Sequence, residues 1–319
     1  MIVKFLKPAG SFSGVFYNIN KVDGRRAELM KAVNFRALSA LSSPKIHDYI
    51  NYLEMITHVN KRIEYPQLHV VVSGKGRLYD KHSLTLIAEA WLKEMGYGDQ
   101  PSLFVFHKDT DNNHLHIVST RIDRNGKKIS SSFEYKRSRI AINKILGYDQ
   151  AMKYRFNTKA QFMMILETLG FPGKDPDEIE ILERAGKFKP DKKRAVQIRG
   201  LLEKHRADPE LKGLMKDQYQ IDLMFHAAEG KQPYGYSIID HEQKIVLKGG
   251  EVMPLGELLD IREISLSSGQ LTEMFDNVDD FSIARPGYVP PIQIADDVDD
   301  QQVHGMRRRR QKKARTNTR

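Results

Sequence analysis

The stretch FVFHKDTDNNHLHIVSTRID (residues 104–123) holds three of the eleven histidines of this 319-residue chain. Both ends of the stretch are rich in β-branched and aromatic residues, which is typical of β-strands, whereas KDTDNN between them is typical of a turn. The stretch therefore predicts an antiparallel hairpin in which His107 ends one strand and His114 begins the next.

The predicted hairpin brings the three histidines to one face of a sheet. His107 and His114 are expected to lie opposite each other at roughly 5 Å, and His116 shares the face of His114 because strand side chains alternate with period two. Three neutral imidazoles can bind a divalent ion and leave positions open for water or a substrate oxygen. Asp109, in the turn, is placed to orient one imidazole or to contact the ion itself. The alternative is a polar hairpin without a metal.

Regular structure is predicted on both sides of this hairpin. LHVVV (68–72) and SLFVF (102–106) are β-rich runs, and HSLTLIAEAWLKEMG (82–96) between them has the apolar spacing of one helical face. KRSRIAINKILG (136–147) and KAQFMMILETLG (159–170) are predicted helices that end at glycines.

The polar stretch that follows, up to about residue 232, is predicted to be helical, including RAVQIRGLLEKHR (194–206). YSIIDHEQKIVLKGG (236–250) then predicts a second hairpin. Together these elements predict an α+β fold with a central, mostly antiparallel sheet, helices packed on one face, a helical region and a C-terminal tail.

The positive charge is concentrated at the end of the chain. The net charge is +10, but the last thirteen residues, RRRRQKKARTNTR, carry eight Lys or Arg and no acid, so the rest of the chain has a net charge of only +2. The segment before them is rich in Asp and Pro, which is typical of a flexible linker. We expect residues 265–319 to be a flexible acidic linker with a basic end, which is either solvated, paired within the chain or bound to DNA phosphates.

The composition excludes several kinds of chemistry. The chain has no cysteine, so disulfides, thiolate zinc sites and cysteine nucleophiles are excluded. The first apolar run is too short for a signal peptide, and no stretch approaches the roughly 18 apolar residues of a membrane span. We therefore expect a cytoplasmic protein without membrane insertion.

Two motifs of the chain resemble those of a known family. HKDTDNNHLH (107–116), followed by IVSTRID, is similar to the three-histidine motif of conjugative relaxases, the mobilisation nucleases of the HUH endonuclease superfamily. GSFSGVFYNINKV (10–22) resembles the first motif of the family, whose tyrosine is the nucleophile, and this places the role on Tyr17. The resemblance is looser between residues 68 and 171 and weak beyond. Asn113 stands where relaxases often have proline.

The resemblance implies a DNA-nicking enzyme. In relaxases, a tyrosine oxygen attacks a DNA phosphodiester and leaves a 3′-hydroxyl and a 5′-phosphotyrosyl enzyme, while the metal polarises the scissile phosphate. One phosphodiester is exchanged for another, so the reaction is readily reversed. This implies site- and strand-specific nicking and rejoining at a transfer origin, for mobilisation of a plasmid or transposon.

The resemblance also implies the metal, the site residues and the partners. Imidazoles ordinarily favour zinc, but relaxases work with Mg²⁺ or Mn²⁺; we expect one of these in function, and Zn²⁺ or Ni²⁺ as ions that a purified sample can carry. The expected substrates are single-stranded and supercoiled DNA at a transfer origin. The resemblance also suggests two further kinds of partner, relaxosome accessory proteins and a type IV secretion coupling protein. The predicted catalytic residues are Tyr17 and Asp109, and the predicted metal ligands are His107, His114 and His116. The predicted DNA-binding residues are Arg121, Lys136, Arg137 and Arg139.

The predicted division of the chain follows the motifs. Residues 1–170 are expected to be the relaxase catalytic core, with Tyr17 reaching the histidines from the first strand region. Residues 171–264 are expected to complete or flank the DNA cleft, and 265–319 to be the tail.

Two other functions stay open at this point. The first is a non-catalytic DNA-binding accessory protein of the transfer apparatus, in which the histidines hold a structural metal ion and the basic tail supplies the affinity for DNA. Tyr17 can separately be interpreted as a half-buried aromatic residue of the first strand, beside Phe12 and Phe16. The second is a metal-dependent oxygenase or isomerase on a cupin-like barrel, since such barrels also carry His-x-His on a strand. The helical character of the chain after residue 136 argues against the barrel.

Overall fold

The computed structural model describes residues 1–228 and 230–259. The chain divides into two compact units, of which the first is Met1–Ile145 and the second begins at Leu146. The predicted tail, residues 265–319, lies outside the described residues. Among the helices of the described part of the chain, none has the length and apolar character needed to cross a membrane.

The first unit is built on an antiparallel sheet. Its strands are β1 (Ile2–Phe5), β2 (Ala27–Val33), β3 (Gln67–Ser73), β4 (Ser102–His107) and β5 (His114–Thr120). They form a five-stranded sheet in the order β1-β3-β5-β4-β2. The central strand β5 is paired on both edges and buried along its whole length. These features confirm the predicted α+β fold with a central antiparallel sheet.

Four longer helices pack on this sheet. They are α1 (Ser13–Asp23), α2 (Ile46–Thr57), α3 (Lys81–Glu94) and α4 (Glu134–Leu146). A short 3-10 helix (Arg36–Ala40) precedes α2. Asp80 caps α3, because its side chain accepts hydrogen bonds from the backbone N–H groups of His82 and Ser83. The predicted helices 82–96 and 136–147 are thereby confirmed.

The helices lie on both faces of the sheet, whereas the sequence predicts them on one. The histidine face, defined as the face that carries His107, His114 and His116, is also that of Leu103 and Val118. α1 and α2 cover the Leu103–Val118 part of this face with a cluster of buried apolar side chains. The reason is that both helices have apolar stripes of their own to bury.

α3 and α4 cover the opposite face. Phe5 lies on that side, because it pairs with Val70, which in turn pairs with Ile117 between the histidine-face positions of β5. The ring of Phe5 contacts Trp91 of α3 at 5.7 Å and Tyr135 of α4 at 5.1 Å between ring centroids.

Tyr17 lies in a helix, not in the first strand region as predicted. The segment 10–22 contains most of α1, and the first strand, β1, ends at Phe5. The buried side chains Phe12, Val15 and Ile19 explain the difference. Their spacing of three and four residues is that of one helical face, and it outweighs the mixed composition of the segment.

The second unit begins with helices and ends in a small sheet. The helices are α5 (Tyr148–Ala151), α6 (Lys159–Thr168), α7 (Glu178–Gly186), α8 (Lys192–His205) and α9 (Leu211–Tyr219). They are followed by strands β6 (Ile221–His226), β7 (Gly235–Asp240) and β8 (Ile245–Lys248), and by helices α10 (Gly249–Val252) and α11 (Leu255–Leu258).

The hairpin predicted for 236–250 is confirmed, since Ile239 pairs with Val246. The prediction of helix up to residue 232 is wrong for β6. Ile221 and Leu223 are fully buried in β6 and pair with residues of β7. Their spacing of two residues is that of a strand, but the charged residues around them make the segment resemble the polar helices before it. The division at residue 170 between catalytic core and flanking region stays a prediction.

Candidate active site

The three histidines of the hairpin meet as predicted. His107 pairs directly with His114 across β4 and β5, and their ring centroids are 5.1 Å apart. The ring of His116 stacks on that of His107 at 4.0 Å between centroids and lies 5.4 Å from that of His114. One nitrogen from each of the three rings lies within 4.8 Å of the others, and all three residues are buried. This spacing is suited to a single divalent ion.

Burial keeps His107 and His116 in the neutral form that binds metal. It lowers the pKa of His107 to about 2, with further contributions from His114 and Lys21. Burial likewise holds the pKa of His116 well below its ordinary value, and the neighbouring His107 adds to the effect. A ring that stays neutral at physiological pH keeps a lone pair for a metal ion.

One nitrogen of the cluster is buried without a hydrogen-bond partner in the described part of the chain. His116 Nε2 is buried and has no hydrogen-bond partner among the described residues. Buried polar atoms are rarely left unsatisfied, because each such atom costs its full desolvation free energy. A divalent ion at this atom would satisfy it, so the residues fit the metal that the histidine motif predicts.

His114 is oriented by its own turn. Its Nδ1 lies 3.0 Å from the carbonyl oxygen of Asn112 and 3.0 Å from Thr110 Oγ1. Because a carbonyl oxygen only accepts, Nδ1 donates and the lone pair of the neutral ring is on Nε2. The polar turn that predicts the hairpin therefore also sets the tautomer of one predicted ligand.

Helix α1 brings Tyr17 to the histidines. The centroid of its ring lies 5.9 Å from that of His107 and 6.0 Å from that of His116. Tyr17 is 9% exposed. The predicted nucleophile and two predicted metal ligands thus adjoin in the structure, although 90 residues of sequence separate Tyr17 from His107.

Asp109 forms an ion pair with Lys21, a residue for which the sequence predicted no role. Lys21 Nζ lies 2.6 Å from Asp109 Oδ2, 3.4 Å from His107 Nδ1 and 4.8 Å from the centroid of the Tyr17 ring. Asp109 Oδ1 is 3.9 Å from His107 Nδ1, which is beyond hydrogen-bond distance. Lys21 is buried and lies one helical turn after Tyr17 in α1. A helical period in this segment would have placed Lys21 on the same face as Tyr17.

Two further buried residues were missed. Asn18 of α1 contacts His107 and His69, and His69 of β3 contacts His116. The pairing register of β3 with β5 determines the position of His69. His69 pairs with Val118, so its side chain lies on the histidine face. Asn18 follows Tyr17 directly, and only the helix places it against the sheet.

The structure does not bring the four predicted DNA-binding residues to the histidines. Lys136, Arg137 and Arg139 belong to α4, on the opposite face of the sheet. Lys136 and Arg139 are exposed, whereas Arg137 Nη2 donates to the carbonyl oxygen of Ser130 at 2.8 Å. Their contact with DNA stays a prediction.

Arg121 is held in a largely buried ion pair. Its guanidinium donates to both carboxylate oxygens of Glu134, at 2.8 Å and 3.0 Å, and to the hydroxyl of Tyr97 at 3.2 Å. Both side chains of the pair are mostly buried. The predicted role of Arg121 in DNA binding stays a prediction, and the structure gives it a role in linking β5 to α4.

Arg121→Met is expected to destabilise the first unit, because it leaves the Glu134 carboxylate buried without its cation. Breaking a buried pair in this way costs about 3–5 kcal/mol. The double variant Arg121→Met, Glu134→Leu removes both charges and is expected to recover most of the loss. Denaturant unfolding of the three proteins measures this; a single variant as stable as the parent would contradict it.

Comparison with known families identifies the same region of the chain. Residues 17–147 match a family model described as "Relaxase: MobA/VirD2-like, nuclease domain". The matched range begins at Tyr17 and contains the three histidines of the hairpin. No curated protein and no solved structure matches the chain.

Proposed function

We propose that the chain nicks one DNA strand at a specific site of a transfer origin and rejoins it by tyrosine transesterification, because residues 17–147 match the family model of the MobA/VirD2-like relaxase nuclease domain. The observation that carries the proposal is the position of Tyr17, whose ring centroid lies within 6.0 Å of those of two buried histidines. Nicking of this kind mobilises a plasmid or a transposon.

The proposed reaction exchanges one phosphodiester for another. Tyr17 Oη attacks the scissile phosphorus and loses its proton, the new Oη–P bond forms, and the bond from phosphorus to the 3′-oxygen breaks. The released 3′-oxygen takes up a proton, and the 5′-phosphate stays on the tyrosine. The reverse reaction rejoins the strand without a further energy source.

The residues around Tyr17 suit this chemistry. His107, His114 and His116 would hold a divalent ion, which we propose to be Mg²⁺ or Mn²⁺. When bound, the ion supplies positive charge to the oxygens of the scissile phosphate. Lys21 holds its ammonium group near the Tyr17 ring, and its pairing with Asp109 keeps that group in place. α1 fixes Tyr17 on the histidine face.

Incubation with a supercoiled plasmid that carries the cognate transfer origin tests the proposal. With Mn²⁺ or Mg²⁺ present, we expect open circles in which the protein is covalently attached to a 5′ end. A plasmid without the origin is the control and should stay supercoiled. Binding to the origin without a covalent product would instead favour the accessory protein with a structural metal site.

The basic residues of α4 give a second measurable expectation. Charge-neutral replacement of Lys136, Arg137 and Arg139 should weaken oligonucleotide binding equally for all sequences. It should flatten the dependence of log K on log salt by roughly one unit for each lost phosphate contact. Lys144→Gln is a matched control, because Lys144 is on the same helix but is paired with Glu94 at 2.8 Å. An unchanged slope in the triple variant would remove α4 from the interface.

The expected partners and organisation follow from the same function. We propose single-stranded and supercoiled DNA as substrates, and accessory proteins of the relaxosome and a type IV coupling protein as partners. Residues 1–170 would carry the chemistry and 171–264 would flank the DNA. A cytoplasmic location, where plasmid DNA is found, is part of this proposal.

A further inference from the structure

Asn18 is fully buried between two histidines, and its amide can be oriented from its contacts. Its Nδ2 lies 2.8 Å from the carbonyl oxygen of Gly14, and its Oδ1 lies 2.8 Å from His107 Nε2. The Gly14 oxygen only accepts, so the nitrogen end of the amide must face it. The Oδ1 end then accepts a hydrogen bond from the N–H of His107 Nε2, which leaves the lone pair of the neutral His107 ring on Nδ1, 3.4 Å from Lys21 Nζ.

The same amide determines which nitrogen of His69 carries a proton. Asn18 Nδ2 has a second N–H, and it lies 3.3 Å from His69 Nε2. A proton on His69 Nε2 would face this donor, so Nε2 is the unprotonated nitrogen of the ring. It is therefore an acceptor toward every neighbour.

The hydrogen bond between His69 and His116 then has one direction. His69 Nε2 lies 2.9 Å from His116 Nδ1. Since His69 Nε2 accepts, the proton belongs to His116 Nδ1. A neutral imidazole carries one proton, so the lone pair of His116 is on Nε2, the buried atom that has no hydrogen-bond partner among the described residues.

We propose that Asn18 and His69 are positioning residues that fix His116 in the tautomer in which it binds the metal ion. The inference rests on the metal centre of the proposed function. Without the acceptor at His69, His116 is free to place its proton on Nε2, and that proton must be moved before an ion can bind. Groups that orient metal-ligating histidines commonly contribute 10–100-fold to metal affinity.

Gly14 allows this arrangement by letting α1 approach β3 closely. A Cβ atom at position 14 would lie 2.7 Å from Gln67 Oε1 and 2.8 Å from His69 Nδ1, closer than real contacts allow. The Gly14 N–H donates to Gln67 Oε1 at 2.8 Å, and its carbonyl accepts from Asn18. The absence of a side chain at this position thus places Asn18 against His69.

The tautomers can be read in the metal-free protein by long-range ¹⁵N–¹H correlation spectra of histidine-labelled samples. In the parent, His116 is expected to carry its proton on Nδ1 and His107 on Nε2, with signals assigned from their loss in His116→Gln and His107→Gln. A His116 proton on Nε2 in the parent would overturn the proposal, whatever the DNA-nicking activity.

His69→Leu and His69→Gln separate positioning from packing. Leu removes the acceptor, whereas the Gln amide oxygen can occupy the place of Nε2 and accept from His116. We expect Leu to mix the His116 tautomers and to weaken Mn²⁺ binding about 10–100-fold. In His69→Gln, the proton of His116 should again lie on Nδ1, and the Mn²⁺ affinity should be within about threefold of that of the parent.

Isothermal titration with Mn²⁺ and thermal unfolding of the metal-free proteins complete the test. Equal Mn²⁺ affinity in the parent and in a folded His69→Leu variant would overturn the proposal, as would a parent that binds no Mn²⁺. If His69→Leu does not fold, the proposal is decided by the His116 tautomers in the parent and in His69→Gln. A parent with the expected tautomers and Mn²⁺ affinity that cannot nick DNA would sink the proposed function and leave this inference standing.

Discussion

Tyr17→Phe is expected to abolish DNA nicking while it retains the fold, the metal affinity and the DNA affinity. Phenylalanine keeps the ring that packs beside His107 and His116 and deletes only the hydroxyl that would attack the phosphate. An aromatic residue with a packing role alone would tolerate the change. The measurement is conversion of supercoiled plasmid to open circles, alongside thermal unfolding and oligonucleotide binding.

Other tyrosines provide the controls. Tyr49 and Tyr52 of α2 are buried, and their ring centroids lie 5.0 Å and 5.4 Å from that of Phe35, so they belong to a separate apolar cluster. Tyr49→Phe and Tyr52→Phe should nick at the parent rate. Mass spectrometry of the protease-digested adduct should find the nucleotide on the peptide that contains Tyr17. A nucleotide on the peptide of 49–52, or full nicking by Tyr17→Phe, would contradict the assignment.

The histidine hairpin could be predicted because its causes are local. Strand-forming residues, a polar turn and a period of two determine the pairing of His107 with His114 and the shared face of His116. None of these depends on what the rest of the chain does. The helices 82–96 and 136–147 were predictable for the same reason, since their apolar periodicity and terminal residues are contained in each segment.

The remaining parts of the site depend on tertiary contacts. His69 reaches His116 only because β3 pairs with β5 in one register, and Asn18 and Lys21 reach the site only because α1 is a helix on that face. The segment of α1 is mixed in composition, so local propensity did not decide between strand and helix.

The position of α4 illustrates the same limit. Its basic residues follow the hairpin closely in sequence and are predicted to bind DNA. However, Arg121 and Glu134 connect the end of β5 to α4 through an ion pair, and Tyr135 packs on Phe5. The chain therefore crosses to the face of the sheet opposite the histidines. The short distance along the sequence between the hairpin and α4 does not determine on which face of the sheet α4 packs.

Loss of the histidines is expected to remove the metal. Replacing His107, His114 or His116 with Ala should weaken Mn²⁺ binding by on the order of 10–100-fold or abolish it, and nicking should decrease in parallel. Each of the three histidines is buried, so Ala also leaves a cavity. Gln variants, which keep more of the volume, separate the loss of a ligand from the loss of packing. His82→Ala is the matched control, because His82 is exposed at the start of α3.

The metal should also stabilise the parent, because an ion that binds only the folded state adds RT ln(1 + [L]/Kd) to the free energy of unfolding. At a Mn²⁺ concentration of about 100 times Kd this amounts to about 2.7 kcal/mol. Mn²⁺ should therefore raise the unfolding temperature of the parent and of His82→Ala, but not that of the triple variant in which His107, His114 and His116 are all replaced with Ala. If the triple variant binds Mn²⁺ as well as the parent does, the metal site lies elsewhere. Tyr17 would then adjoin a polar cluster rather than a catalytic centre.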